Sequence, residues 1–174
     1  MEITKHFRIP VECETILVEG ILDDNIIDTD YFIEKINLGI HDKNNMTGKT
    51  NVDGGMTSWR YFIKDEKFAN ILRVIFNNMP PCDLPDLDLR EAWGIKMEPG
   101  HGTKVHHHDV GFSGIIYLND CDVPLQFPQL KIKTLPKKNK FLFFSGHLLH
   151  GSAPLSEGIR YAMPFNMFSK KRWD

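Results

Sequence analysis

After Leu89 the helical spacing of apolar residues gives out, and what replaces it narrows the fold. Seven short runs rich in aromatic and branched side chains follow: EAWGIKME, FSGIIYLN, PLQFPQ, LKIKTL, KFLFFS, HLLHG and RYAMPFNMF. Gly, Pro, Asn or Asp separates them, so they read as strands with turns between. That many short strands within about 85 residues can bury their apolar sides only against one another, as a sandwich or a barrel. The first half reads differently. Residues 65–78 (DEKFANILRVIFNN) carry a broad apolar face behind an acidic first turn, and the prolines of MPPCDLPDLD stop the helix. Residues 28–40 (DTDYFIEKINLGI) predict a second helix behind an Asp cap.

The expected class is therefore α+β, mainly β, with N-terminal helices packed on the outside of an antiparallel sandwich. A double-stranded β-helix, or jelly roll, fits the strand count, as does an immunoglobulin-like sandwich. With 174 residues, 41% apolar and 25% charged, one domain is expected over 1–174, a strand and helical support region over 1–89 and a strand core over 90–170. A net charge of -2 gives no broad reason to expect nucleic acid or an anionic membrane as partner. The basic stretch KIKTLPKKNK reads as a solvated strand and turn. Charges at the N-terminus, the lack of a bilayer-length apolar run and three cysteines without C-x-x-C spacing predict a cytoplasmic protein with reduced thiols.

Chemistry concentrates in KVHHHDVGFSGIIYLN, where three histidines and an aspartate precede a strand. In a strand successive side chains alternate faces, so His107 and Asp109 share one side and His106 and His108 the other. Only one pair can face the interior. A distant histidine on a late strand would complete a set of metal ligands; His150 in LLHGSAP and His147 are the candidates. Two imidazoles and a carboxylate on one side of a metal leave open positions, the arrangement used for non-haem Fe(II) and oxygen chemistry. Arg160 follows ten residues after His150 in EGIRYAMPFN, and its guanidinium on a neighbouring strand would hold a carboxylate bidentately.

The ordered set HHD, FSGIIYLN, FLFFSGHLLHGSAP and EGIRYAMPFN, over roughly residues 93–168, resembles the Fe(II)/2-oxoglutarate-dependent dioxygenases, in particular the small prolyl-hydroxylase-like branch. That resemblance implies His107, Asp109 and His150 as iron ligands and Arg160 as partner of the distal carboxylate of 2-oxoglutarate. It also implies O2 as oxidant, ascorbate as a supporting reductant, release of succinate and CO2, and hydroxylation of a carbon on a protein side chain or small metabolite. The chain departs from many relatives in two places. Ala162 stands where they have Arg-x-Ser, and Met97 stands near an expected tyrosine. Tyr117 is the substitute expected to help hold the cosubstrate.

Each feature also has a plainer reading. Three histidines in a row can be a surface loop, Arg160 can form an ordinary ion pair, and Trp93, Phe112, Phe127, Phe141 and Phe143 are expected core. Asn166 shares parity with Arg160 and is expected to make a buried hydrogen bond. The turn-rich segment over 43–61 is a long loop, and long loops tend to be functional or disordered; Trp59 and Arg60 are its candidates for a substrate rim. One rival function is a cupin-like hydrolase or isomerase holding zinc or manganese on His106, His108 and His150. Another is a non-catalytic jelly-roll binding module.

Overall fold

A computed structural model describes residues 14–42, 50–80 and 84–169. Strand β1 (Leu17–Ile21) is followed by helix α1 (Thr29–Ile40), strand β2 (Gly55–Met56) and helix α2 (Glu66–Asn77). Nine strands complete the described chain: β3 (Leu87–Ala92), β4 (Ile95–Met97), β5 (Thr103–His106), β6 (Phe112–Tyr117), β7 (Leu125–Phe127), β8 (Ile132–Thr134), β9 (Lys140–Ser145), β10 (His150–Ser152) and β11 (Arg160–Ser169). Both expected helices form where the apolar spacing placed them. Their Asp28 and Asp65 caps accept the backbone N–H of Tyr31 and Phe68, which satisfies donors that the first turn leaves free. Cys13, Cys82 and residues 43–49 of the long loop lie outside the described residues.

The strands form two antiparallel sheets. One has the order β1-β9-β6-β11-β4-β2, with β3 also paired to β11; the other has the order β5-β10-β7-β8. The larger sheet is buried on both faces, which explains why KFLFFS and RYAMPFNMF are apolar without alternation. On β9, Phe143 packs toward the helices, while Leu142 and Phe144 pack into the space between the sheets. Helix α2 docks through Phe68 against Phe165 and through Phe76 against Phe143, with ring centroids 6.1 Å and 5.2 Å apart. Helix α1 comes so close to the chain after β3 that a Cβ on Gly94 would run into Ile36. The smaller sheet closes the second core, where Phe127 meets Phe144 edge to face at 5.1 Å.

The mainly β class, the antiparallel sheets and the helices outside them match the expectation. No helix among the described residues is long and apolar enough to cross a membrane.

Candidate metal centre

Strand β10 of the smaller sheet carries His150 inward, where it is 6% exposed. Its cross-strand partner on β5 is His106, and His108 follows just beyond the end of that strand. The ring centroids lie 4.4 Å (His106 to His150), 5.2 Å (His108 to His150) and 4.8 Å (His106 to His108) apart. One potential ligand atom from each of the three lies within 4.8 Å of the others, and this is the group among the described residues suited to a metal.

The structure therefore turns the expected parity over. His107 and Asp109 do not join His150; they face solvent, with side chains 54% and 100% exposed, and lie 3.5 Å from each other. The physical reason is a one-residue slip in β5. His106 pairs with His150 and Thr103 with Ser152, so Lys104 and Val105 together oppose the single residue Gly151. A bulge of this kind lets Thr103 and His106, three positions apart, both line the same cavity. Counted along an unbulged strand from Thr103, the inward residues would have been Val105, His107 and Asp109. Instead Val105 is exposed and the histidine set is exchanged. His147 also stays out of the cluster, meeting Thr15 Oγ1 at 2.9 Å.

Two of the imidazoles are oriented by the backbone. His106 Nδ1 lies 2.7 Å from the Lys104 carbonyl and His150 Nδ1 lies 2.9 Å from the Leu148 carbonyl. A carbonyl only accepts, so each Nδ1 carries the proton and each Nε2 is left with a free lone pair. Burial favours the neutral form of all three. It lowers the pKa of His106, and it lowers His150 to about 4 and, aided by repulsion from His150 and His106, His108 to about 3. Neutral imidazoles are what a metal requires. The loop that carries His108 is held down at the turn after β9. His108 N–H donates to the Gly146 carbonyl at 2.9 Å, Gly146 N–H donates to the Gly111 carbonyl at 3.0 Å, and a Cβ on Gly146 would run into the Val110 carbonyl.

Arg160, at the start of β11, is 3% exposed. Its Nη2 donates to Ser152 Oγ at 2.7 Å and stands 2.6 Å from Met97 Sδ; Nη1 reaches the Val123 carbonyl at 3.4 Å. Among the described residues Nε has no partner and no ion pair includes this guanidinium. The ordinary ion pair is thus absent there. Met97 sits in register opposite Arg160, and a thioether is a weak acceptor for a charged donor. Ser152, two positions after His150 on β10, supplies the hydroxyl that Ala162 lacks; sequence reading passed over it, although a polar residue at that spacing from a ligand histidine was the available signal. Tyr117 is 1% exposed, its hydroxyl has no partner among the described residues, and burial raises its pKa against the opposing pull of the Arg160 charge.

The histidines share a cavity of about 140 Å³ with Trp59, Trp93, Ser113 and Asn166. Trp59 lines this cavity, edge to face with Trp93 at 4.7 Å. Arg60 does not; it lines a surface depression on the other side of Trp59, with Asp88, Arg90 and Glu91. Trp93, read from sequence as core, is both core and cavity wall.

No family model and no curated protein matches the sequence. Solved structures do match. A viral collagen prolyl hydroxylase from Paramecium bursaria Chlorella virus-1, solved as its 2-oxoglutarate complex, aligns over 90% of this chain and 96% of its own, with a TM-score of 0.63 and 18% identity. The chain has the fold of 2-oxoglutarate-dependent oxygenases. A prolyl hydroxylase from Trichoplax adhaerens, in complex with a hypoxia inducible factor peptide, covers 89% of this chain and 83% of its own at a TM-score of 0.65 and 12% identity. HygX from Streptomyces hygroscopicus, with nickel and 2-oxoglutarate bound, covers 90% and 82% at a TM-score of 0.60 and 13% identity.

Proposed function

We propose that this protein is an Fe(II)- and 2-oxoglutarate-dependent oxygenase on a double-stranded β-helix, with His106, His108 and His150 as metal ligands and Arg160 as the anchor of the cosubstrate. The observation that carries the reading is the pairing of two incomplete sites on one strand. His150 points into a cluster of three neutral imidazoles, and Ser152, two residues on, bonds a buried arginine without a counter-ion. Alternate residues of a strand are about 6.6 Å apart. That separation suits a five-carbon diacid whose keto acid end meets the metal and whose far carboxylate meets the guanidinium.

The donor set fits iron, since imidazole serves Fe, Zn, Cu and Ni, and three ligands on one side leave positions open. It departs from the two-histidine, one-carboxylate pattern, and with three neutral ligands the metal's charge is left for an anionic chelator to offset. The orphaned Arg160 Nε and Tyr117 hydroxyl fit a carboxylate in the same way, as buried donors in need of an acceptor. When bound, iron with 2-oxoglutarate and O2 supplies oxidation of a substrate carbon, with succinate and CO2 released. The chain's own part is to orient two imidazoles through backbone carbonyls, to fix the diacid with Arg160 and Ser152, and to surround the reacting region with apolar wall. The substrate, a small molecule or a peptidyl side chain, would enter past Trp59.

Anaerobic titration of the metal-free protein with Fe(II) and then 2-oxoglutarate tests this. A weak visible charge-transfer band should appear, and Arg160→Ala should need far more 2-oxoglutarate to produce it. Bound metal without any band would return the site to the cupin-like hydrolase reading, which uses the same three histidines.

A further inference from the structure

Three polar side chains form a row across adjacent strands on the cavity side of the larger sheet. Ser113 on β6 stands opposite Asn166 on β11, and Asn166 stands opposite Glu91 on β3. On a regular β3, Glu91 would share a face with Leu87 and Leu89, which pack toward the helices. A register shift between Asn166 and Met167 places one extra residue, Arg90, in β3 and turns Glu91 to the side of Asn166. The three are then joined head to tail. Ser113 Oγ donates to Asn166 Oδ1 at 2.7 Å, and Asn166 Nδ2 donates to Glu91 Oε2 at 2.6 Å. Ser113 and Asn166 are each 2% exposed, and both line the cavity that holds the histidines.

The direction of this chain is set at its outer end. A carboxylate has no proton to give, so Asn166 must turn its amide nitrogen toward Glu91 and its carbonyl oxygen toward Ser113. That oxygen can only accept, so the one hydroxyl proton of Ser113 is committed to it. Ser113 therefore offers the cavity lone pairs and nothing else. Among the described residues no Asp, Glu, Lys or Arg lines the cavity, and its other walls are largely apolar: Trp59, Trp93, Ile95, Leu125 and Phe144. We infer that the primary substrate presents a neutral N–H or O–H donor to Ser113 Oγ. The word substrate rests on the oxygenase reading; the polarity of the cavity does not. A peptidyl proline ring carries no donor and would leave these lone pairs unpaired, so the geometry points to a secondary amide or a hydroxyl-bearing substrate instead.

Indole and benzofuran test this as probes, because they share a shape but only indole donates. Each is titrated into the full chain while the tryptophan side-chain N–H signals are followed by NMR. Indole should bind about tenfold more tightly, the effect of one hydrogen bond. Glu91→Gln leaves the cavity wall intact but supplies a side chain that can donate, so the row can reverse and the ratio should fall toward one at an unchanged melting temperature. Ser113→Ala should lower the ratio as well. Equal affinities, tighter benzofuran, no binding of either probe, or a ratio that Glu91→Gln leaves at its wild-type value would each overturn the inference. No iron or 2-oxoglutarate is present in this measurement, so it can fail while iron binding stands, and it can succeed where iron binding fails.

Discussion

Replacing Arg160 with leucine separates a structural arginine from an anion anchor. Without ligand the guanidinium is a buried charge facing a hydroxyl, a thioether and a carbonyl. Burying a charge without a counter-ion costs several kcal/mol. Leucine removes that cost but strands the Ser152 hydroxyl and the Val123 carbonyl, at about 1–3 kcal/mol each. These effects are similar in size and opposite in sign, so the ligand-free variant should melt within a few degrees of the wild type.

The response to cosubstrate should differ sharply. A ligand present at a hundredfold its Kd stabilises by about 2.7 kcal/mol, which for a chain of this length is a rise of roughly 5–10 °C in Tm. Scanning calorimetry of the anaerobic, Fe(II)-loaded protein should show that rise with 2-oxoglutarate in the wild type and almost none in Arg160→Leu. The monocarboxylate 2-oxobutyrate keeps the keto acid end and lacks the far carboxylate, so it should shift both proteins alike. A variant that loses more than 10 °C without ligand yet keeps the full 2-oxoglutarate shift would show that Arg160 is structural, and the anchor assignment would be withdrawn.

Alanine at His106, His108 or His150 should abolish stoichiometric Fe(II) binding by equilibrium dialysis, whereas alanine at His107, Asp109 or His147 should leave it largely intact; the opposite pattern would restore the unbulged register. His150 has a folded pKa of about 4, below its ordinary 6.5, so between these values the unfolded chain takes up a proton that the folded chain refuses. Metal-free stability should therefore fall as pH drops from 6.5 to 4, by about 3 kcal/mol from His150 alone, read as a falling urea midpoint. Gly146→Ala should push on the Val110 carbonyl and displace His108, weakening Fe(II) binding at least tenfold with the fold retained by circular dichroism.

Both helices and most strands could be read in the sequence because each buries a patterned face. The apolar positions of α2 and the doubly buried run of β9 leave little choice about where they pack. The residue types of the candidate site could be read for a similar reason: histidine clusters before a strand and an arginine after a late histidine have few roles. What could not be read was which histidines point inward, since side-chain parity in a strand is exact and a single extra residue reverses it. No composition cue marks the bulge at Lys104 and Val105; both are ordinary exposed strand residues, and the slip appears only in their pairing with β10. The same device operates at Arg90, where a second bulge turns Glu91 to face Asn166.

These two bulges sit on opposite sheets and aim at one cavity. Each places a polar group that an unbroken alternation would have sent elsewhere: the first brings the imidazoles of His106 and His108 to the cavity, and the second sets the Glu91 carboxylate against Asn166, which in turn fixes the Ser113 hydroxyl at the cavity wall. A protein that needed only a stable sandwich would gain nothing from either, since every buried polar atom must find a partner and each bulge interrupts a ladder of backbone hydrogen bonds. Deleting Lys104 gives a direct measure, because Val105 alone then opposes Gly151. Thr103 and His106, now two positions apart, should both stay inward by plain alternation, so Fe(II) binding should be retained while the melting temperature is kept or raised. Loss of Fe(II) binding with the fold retained would mean that β5 pairs with β10 in another register and that the bulge is not what brings His106 opposite His150.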